Sequence, residues 1–258
     1  MSANVEMCHM LDFRRLPEIP ASCQRVYFGH ETCERLLPEF DEVRDLLGTT
    51  GKRGLGLTFV TPFLTERGLE KVRLFLEQLK AAMPQIPEIV TSDWGLMHWI
   101  AANKIGIPVA GRFIVGQQLD FRHAGAMSPG MADHLSSCTL MKEGTMEMLR
   151  NLGVNRFELS NVFHPIILPG DGKYHCSLHL PLVPLTIFRS CPEALDFNNI
   201  NKSCNARNCP RSRQKWSSCY SKCDIYRMDN ALYYGNPNVD SRLAENKRID
   251  RIVSHGGI

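Results

Sequence analysis

The fold class is decided by the stretch GLGLTFVT (residues 54–61), which is followed after a short gap by ERGLEKVRLFLEQLKAAM (residues 66–83). The first segment is rich in apolar and β-branched residues, which is typical of a strand buried in a sheet. The second segment carries apolar residues near helical spacing, and Pro84 ends it because proline lacks the backbone donor that a helix interior needs. The two segments together predict one βα unit.

The same alternation of short strands and amphipathic helices continues along the chain. Strands are predicted at residues 25–28, 88–92, 108–115 and 156–159, helices at 32–47, 96–103 and 141–152, a bent or edge strand at 178–188, and closing strands at 231–234 and 248–253. Repeated βα units build a parallel sheet, so we expect an α/β fold, a TIM-barrel-like barrel in a single domain over residues 1–258. Fewer strands are evident than a full barrel has, and an open or incomplete barrel is the alternative.

Composition limits the function classes. The formal net charge of +3 and the pI near 8.3 are too mild to indicate a nucleic-acid protein. Residues 1–15 contain no continuous apolar run of the length of a signal peptide, and no segment reaches the roughly 20 apolar residues of a membrane helix. We therefore expect a cytoplasmic protein without membrane insertion. In that compartment ten cysteines indicate metal or redox chemistry rather than disulfides.

A cysteine-rich and largely polar segment lies at residues 188–228. Its cysteines are Cys191, Cys204, Cys209, Cys219 and Cys223. Bound metal would give this segment order, because ligand binding to a site that the unfolded chain lacks contributes to folding. Thiolates suit zinc, copper(I) and iron-sulfur clusters. The cysteines and the polar composition of the segment indicate a metal site. The spacing has neither the two tight Cys-x2-Cys pairs of a zinc ribbon nor a Cys-x3-Cys-x2-Cys run, so the identity of the metal stays open.

Several short motifs occur in a specific order along the chain. They are YFGHETCER at residues 27–35, SDWG at 92–95, LGV at 152–154 followed by FELS at 157–160, and FRSC at 188–191, with Cys204 following Cys191 in a Cys-x12-Cys interval. This series resembles peptidase family U32, and most closely its short UbiV-like branch, an iron-sulfur branch linked to oxygen-independent ubiquinone hydroxylation. The resemblance covers most of the chain, from about residue 25 to residue 253.

The resemblance implies a cofactor and its ligands. In that branch one cysteine after the first strand joins three from the C-terminal region to bind a 4Fe-4S cluster, which corresponds here to Cys33, Cys191, Cys204 and Cys209. Four residues separate the last two where the family pattern has three, and Cys219 and Cys223 are alternatives for the fourth ligand. The residues agree with this placement, since Cys33 and Cys191 each follow a predicted strand, where barrels carry functional groups.

The resemblance also implies a function. The chain would take part in oxygen-independent hydroxylation of the ubiquinone-precursor type, as an iron-sulfur subunit in a heterodimer with a second U32-family protein. Asp93 and Arg112 lie near the ends of predicted strands and could bind a small-molecule or quinone-type substrate, because the planar guanidinium suits a carboxylate. The alternative for these two residues is a structural pair that stabilises loop ends.

Two other functions stay open. The basic residues Arg207, Arg211, Arg213 and Lys215 could contact RNA phosphates, which would make the protein an RNA-base hydroxylase with the same cluster. A structural metal site in a scaffold protein is the non-catalytic alternative. No Gly-x-Ser-x-Gly elbow or His-Glu-x-x-His helix occurs, so nothing indicates a protease. His175 and His179 share one face of a predicted strand, and ordinary strand packing is the favoured interpretation.

Overall fold

The structure is a computed structural model, which describes residues 5–11, 19–83, 87–119, 138, 142–168, 173–188, 191, 204, 223–239 and 246–255, and the backbone of 214–216. Twelve strands lie in these residues: β1 (Glu6–Met10), β2 (Arg25–Gly29), β3 (Gly56–Thr61), β4 (Glu88–Thr91), β5 (Ile107–Ala110), β6 (Arg156–Ser160), β7 (His175–Leu180), β8 (Leu182–Ile187), β9 (Gln214–Trp216), β10 (Ile225–Met228), β11 (Ala231–Gly235) and β12 (Ile249–His255). β1 to β7 and β12 form a closed barrel of parallel strands, which confirms the TIM-barrel-like α/β fold.

The barrel closes through β12, which pairs with β7 on one side and with β1 on the other. Val253 of β12 lies beside Cys8 of β1 in this pairing, and both side chains are buried in the barrel interior with Tyr27 and Val60. The alternative of an incomplete barrel is therefore wrong. The sequence analysis missed β1, because the segment EMCHM carries too few β-branched or aromatic residues to indicate a strand.

Five helices lie in the described residues: α1 (Phe40–Arg53), α2 (Glu66–Ala82), α3 (Trp94–Asn103), α4 (Arg112–Val115) and α5 (Glu143–Asn151). The predicted helix at 32–47 is wrong in its first half, because Pro38 disfavours helical backbone at the residue before it and leaves only a 3-10 turn at Glu34–Leu36. The predicted strand at 108–115 ends at Ala110, because Gly111 is the N-cap of α4.

A second sheet of four antiparallel strands, in the order β8-β11-β10-β9, is inserted between β7 and β12. Two predictions are corrected here. The bent strand at 178–188 is in fact two strands in different sheets, divided at Pro181. The segment 231–234 does not close the barrel but forms β11 of the second sheet, and the segment 248–253 closes the barrel as β12.

In the described part of the chain, no helix has both the length and the apolar character needed to cross a membrane.

Paired charges fill the end of the barrel where the strands begin. Arg25 Nε donates to Glu6 Oε1 at 2.9 Å, and Arg251 donates to Glu88 at 2.6 Å and also contacts Glu6. Burial would raise the pKa of Glu88, but the hydrogen bond from Arg251 and the charge of Arg25 outweigh it and hold this pKa below its usual value. We call this group of Glu6, Arg25, Glu88 and Arg251 the barrel floor.

We predict that Arg251→Ala lowers the free energy of unfolding by about 3–5 kcal/mol, because it leaves the largely buried Glu6 and Glu88 carboxylates with Arg25 as their one remaining guanidinium partner in the barrel floor. Urea denaturation at neutral pH measures this loss. Arg44→Ala is the control, since Arg44 forms an exposed pair with Asp41 and its loss should cost at most about 1 kcal/mol.

The lowered pKa of Glu88 determines how the stability of the folded state changes with pH. A carboxylate with a lowered pKa stabilises the folded state above its unfolded pKa and loses that contribution as the pH falls through its folded pKa. Arg251→Ala should therefore lose less stability than the wild type on acidification. An equal acid dependence in both proteins would contradict the role of the barrel floor.

Candidate functional site

The loop that follows β2 carries Cys33 at the C-terminal mouth of the barrel. Cys33 precedes the 3-10 turn at Glu34–Leu36, and its thiol is partly buried. His30 holds this loop: its Nδ1 accepts hydrogen bonds from the backbone amides of Thr32 and Cys33 at 3.2 and 3.0 Å. The proton of the ring therefore lies on Nε2, which donates to Asp229 Oδ2 at 3.1 Å. Asp229 belongs to the turn between β10 and β11, so His30 joins the barrel to the second sheet.

Asn230 makes the second connection between these parts. Its side-chain NH2 group donates to the backbone carbonyl oxygens of Thr32 and Phe188 at 2.8 and 3.1 Å, and its backbone carbonyl accepts from the Phe188 backbone amide at 2.7 Å. Thr32 directly precedes Cys33, and Phe188 lies three residues before Cys191. One buried asparagine therefore fixes the distance between the two chain segments that carry predicted ligands. The sequence analysis did not single it out.

The thiols of Cys191 and Cys204 lie close enough to Cys33 to affect its charge. The pKa of Cys33 is raised to about 11, mainly by burial; the Asp229 carboxylate and the thiols of Cys191 and Cys204 contribute to the rise, while the hydrogen bond from the Arg35 amide acts in the opposite direction. The fold thus brings together three cysteines that the sequence separates by up to 171 positions, from 33 to 204. As a neutral thiol, Cys33 binds metal weakly until a nearby cation favours its thiolate.

Among the described residues, no three Cys, His, Asp or Glu side chains are grouped closely enough to hold one metal ion.

The remaining cysteines divide into three groups. Cys209 and Cys219 lie outside the described residues, as do the predicted RNA contacts Arg207, Arg211 and Arg213 and the side chain of Lys215. Cys223 is partly buried beside Val183 and Tyr234, and burial and the Asp224 carboxylate raise its pKa. The other described cysteines are buried in the barrel and its helix layer.

Asp93 and Arg112 both lie at the C-terminal mouth and both make structural contacts. Asp93 caps α3, since its Oδ1 accepts from the Leu96 amide at 2.9 Å and its Oδ2 from the Leu64 amide at 3.3 Å. Arg112 is fully buried, forms a two-point ion pair with Glu31, and donates to the Leu182 carbonyl at 2.6 Å. The substrate role of these two residues stays a prediction. Sequence reasoning missed Glu31, although an acidic residue two positions after the end of a strand was a usable signal.

The fold and the mouth define a closed α/β barrel with a group of thiols at its C-terminal end, held by an inserted antiparallel sheet. No protein-family model and no curated protein matches the chain. A solved structure titled "The Structure of the U32 Peptidase Mk0906" is similar, with a TM-score of 0.50 and 14% sequence identity over 100% of this chain and 95% of that chain. At this identity the similarity shows a shared fold.

We predict that Cys33 of the metal-free protein alkylates slowly at neutral pH and faster as the pH approaches 11, because the thiolate is the nucleophile. Replacing Cys191 and Cys204 by serine should lower the pKa of Cys33 and speed its alkylation at a given pH. Mass spectrometry of the Cys33 peptide after timed iodoacetamide treatment measures the rate. Cys23→Ser, which changes a buried cysteine that does not contribute to the raised pKa of Cys33, should leave the rate unchanged.

We predict that Asn230→Ala separates Cys33 from Cys191, because it removes both amide hydrogen bonds that join their loops. Cross-linking of the two thiols by a short bifunctional reagent should fall sharply. Asn236→Ala is the matched control: Asn236 is equally buried and donates to the carbonyls of Asn161 and Val162 instead. Both variants should lose about 1–3 kcal/mol of stability, and equal loss of cross-linking in both would contradict the prediction.

Proposed function

We propose that the chain is a U32-family protein that binds a 4Fe-4S cluster through Cys33, Cys191, Cys204 and Cys209 at the mouth of its barrel. We infer that it takes part in oxygen-independent hydroxylation of the ubiquinone-precursor type, in the cytoplasm and as a heterodimer with a second U32-family protein. The observation that carries the proposal is the pair of Asn230 hydrogen bonds, which hold Thr32, next to Cys33, close to Phe188, three residues before Cys191.

The chemistry of the donor set supports a cluster. The thiolates of Cys33, Cys191 and Cys204 are the soft ligands that iron-sulfur clusters use. Burial disfavours a thiolate at Cys33, and a second thiolate nearby disfavours it further, so the charged form of this group needs a cation. A cluster at this place would supply electron transfer or activation of the hydroxyl donor.

The assignment of the fourth ligand is based on the family pattern, because Cys209 lies outside the described residues. Cys209 is the proposed residue, with Cys219 and Cys223 as alternatives. Cys223 packs beside Val183 and Tyr234, and it would serve as the ligand only if the cluster extended toward β10. Serine variants of these three cysteines separate the assignments, because only the true ligand should reduce the iron content.

The family proposal rests on two supports. The ordered motifs from residue 27 to residue 204 resemble family U32, and the fold is similar to a solved structure whose title names a U32 peptidase. Peptidase activity is a description of that protein. We do not extend it to this chain, because the sequence holds neither of the two hydrolase motifs sought above.

On the substrate side, Asp93 and Arg112 remain the proposed contacts for a small quinone-type molecule. Arg112 is already paired with Glu31, so a substrate carboxylate at this place would compete with Glu31 for the guanidinium. Burial would raise the pKa of Glu31, but Arg112 outweighs it and holds this pKa below its usual value. Glu31 therefore stays charged and compensates the positive charge of Arg112 until a stronger hydrogen-bond acceptor binds to the guanidinium.

We predict that anaerobically purified protein contains about four irons and four sulfides per chain, as a 4Fe-4S cluster requires. Cys33→Ser and Cys191→Ser should each lose most of this content and the electron paramagnetic resonance signal of the reduced cluster. Cys23→Ser is the matched control and should retain the full content, because its thiol is buried and donates to the Arg25 carbonyl, a contact that serine can keep.

One zinc per chain, unaffected by Cys33→Ser, would contradict the cluster and favour the structural scaffold. A cluster-loaded protein that binds RNA with a steep salt dependence would favour the RNA-base hydroxylase, since counterion release from phosphates produces that dependence. A redox-active cluster without RNA binding supports the proposed hydroxylation.

A further inference from the structure

A hydrogen-bonded chain of three side chains lies inside the barrel, separate from the thiols. Glu158 of β6 contacts His179 of β7, with 2.6 Å between Glu158 Oε2 and His179 Nε2. His179 in turn contacts His255, the last residue of β12, with 2.9 Å between His179 Nδ1 and His255 Nε2. Ordinary strand packing, the interpretation favoured for His179 from the sequence, does not account for three titratable groups in one line.

The three groups run from the barrel interior to its mouth. The side chains of Glu158 and His179 are 1% and 4% exposed, whereas His255 is partly exposed. His255 ends its strand at the C-terminal side of the barrel, where barrel enzymes place their active sites. A proton could therefore enter or leave at His255 and reach a carboxylate that solvent does not contact.

The hydrogen-bond partners assign the protons. The Tyr27 hydroxyl donates to Glu158 Oε1 at 3.2 Å, and burial together with the Glu158 charge raises the pKa of Tyr27, so the tyrosine keeps its proton. Glu158 then accepts from both Tyr27 and His179. With its proton on Nε2, neutral His179 accepts at Nδ1 from His255 Nε2, which leaves His255 Nδ1 as an acceptor.

The surrounding charges determine where an added proton rests. Burial lowers the pKa of His255 well below its usual value, and the nearby groups Arg112 of α4, His179 and His9 of β1 lower it further. His179 faces Glu158, Tyr27 and Glu31, two of which are carboxyl groups. When His255 Nδ1 takes a proton, its Nε2 proton can pass to His179, so that the positive charge lies beside the Glu158 carboxylate.

We propose that Glu158, His179 and His255 form an acid-base relay in which His255 removes the hydroxyl proton of a phenol bound at the barrel mouth. In this step the O–H bond breaks, its electron pair stays on the phenolate oxygen, and the proton bonds to His255 Nδ1 while the Nε2 proton moves to His179. Glu158 is a positioning residue. The choice of a phenol rests on the proposed function, since quinone precursors are phenols and an ionised oxygen enriches the ring for hydroxylation.

The relay is tested by a pH titration of 15N-histidine-labelled protein followed by nuclear magnetic resonance. In the wild type, the first proton added to the pair should give His179 with both ring nitrogens protonated while His255 stays neutral. Glu158→Gln should lower the apparent pKa of the pair by about one unit or more, because the compensating carboxylate is lost. Tyr27→Phe is the control: it removes a donor to Glu158 but keeps the carboxylate, and it should not lower this pKa.

The phenol is tested separately with 4-nitrophenol, whose phenolate absorbs visible light. Wild-type protein should increase the phenolate fraction at a pH where the free probe is mostly protonated, and His255→Gln should abolish the increase. An unchanged pKa in Glu158→Gln overturns the relay, and an unchanged probe spectrum with wild-type protein overturns the phenol assignment. Neither measurement needs the cluster. An iron analysis that contradicts the cluster can therefore be distinguished from a titration that contradicts the relay.

Discussion

The insertion of β12 between β1 and β7 is the constraint on which the rest of the structure depends. It joins residues about 245 positions apart, and it closes the barrel with parallel pairs on both sides. The same strand supplies Arg251 to the barrel floor and His255 to the mouth, so both ends of the barrel are completed by one late segment of the chain. Loop closure over such a distance costs entropy that local contacts cannot offset, and burial of Val253 with Cys8 and Tyr27 in the interior contributes to offsetting it.

The inserted sheet gives the barrel a thiol-bearing segment that could not fold alone. Residues 188–228 contain few apolar side chains, but the chain on either side is anchored: Leu182 of β8 accepts a hydrogen bond from Arg112, and the turn before β11 binds the β2 loop through Asp229 and Asn230. Asp229 has a φ of 53°, in the left-handed region that aspartate tolerates better than most residues. The anchors therefore fix the two ends of the segment at the barrel mouth.

The sequence predicted the secondary-structure elements better than it predicted which strands and side chains pair with one another. The strand at 54–61 and the helix at 66–83 agree with β3 and α2 to within two residues, because each combined a clear periodicity with a proline or cap at its end. β8 and β11 were misassigned, since short apolar strands have the same composition in a parallel barrel and in an antiparallel sheet. At the site, the order and spacing of Cys33, Cys191 and Cys204 were readable. The contacts of Glu31 with Arg112 and of His179 with His255 were not, because no local pattern records a pairing across 81 or 76 positions.

The two ends of the barrel differ in how their titratable groups are satisfied, and this difference separates stability from function. On the floor, Glu88 has a lowered pKa because two guanidinium groups surround it, so its charge is compensated within the fold. At the mouth, Cys33 has a raised pKa and His255 a lowered one, so both groups are neutral and gain a charge only when a partner arrives. The described side chains also include buried Ser92 Oγ, Ser160 Oγ and Asn230 Oδ1 without a hydrogen-bond partner, all on the mouth side. The floor therefore contributes to stability through compensated charges, whereas these polar groups at the mouth have no such compensation.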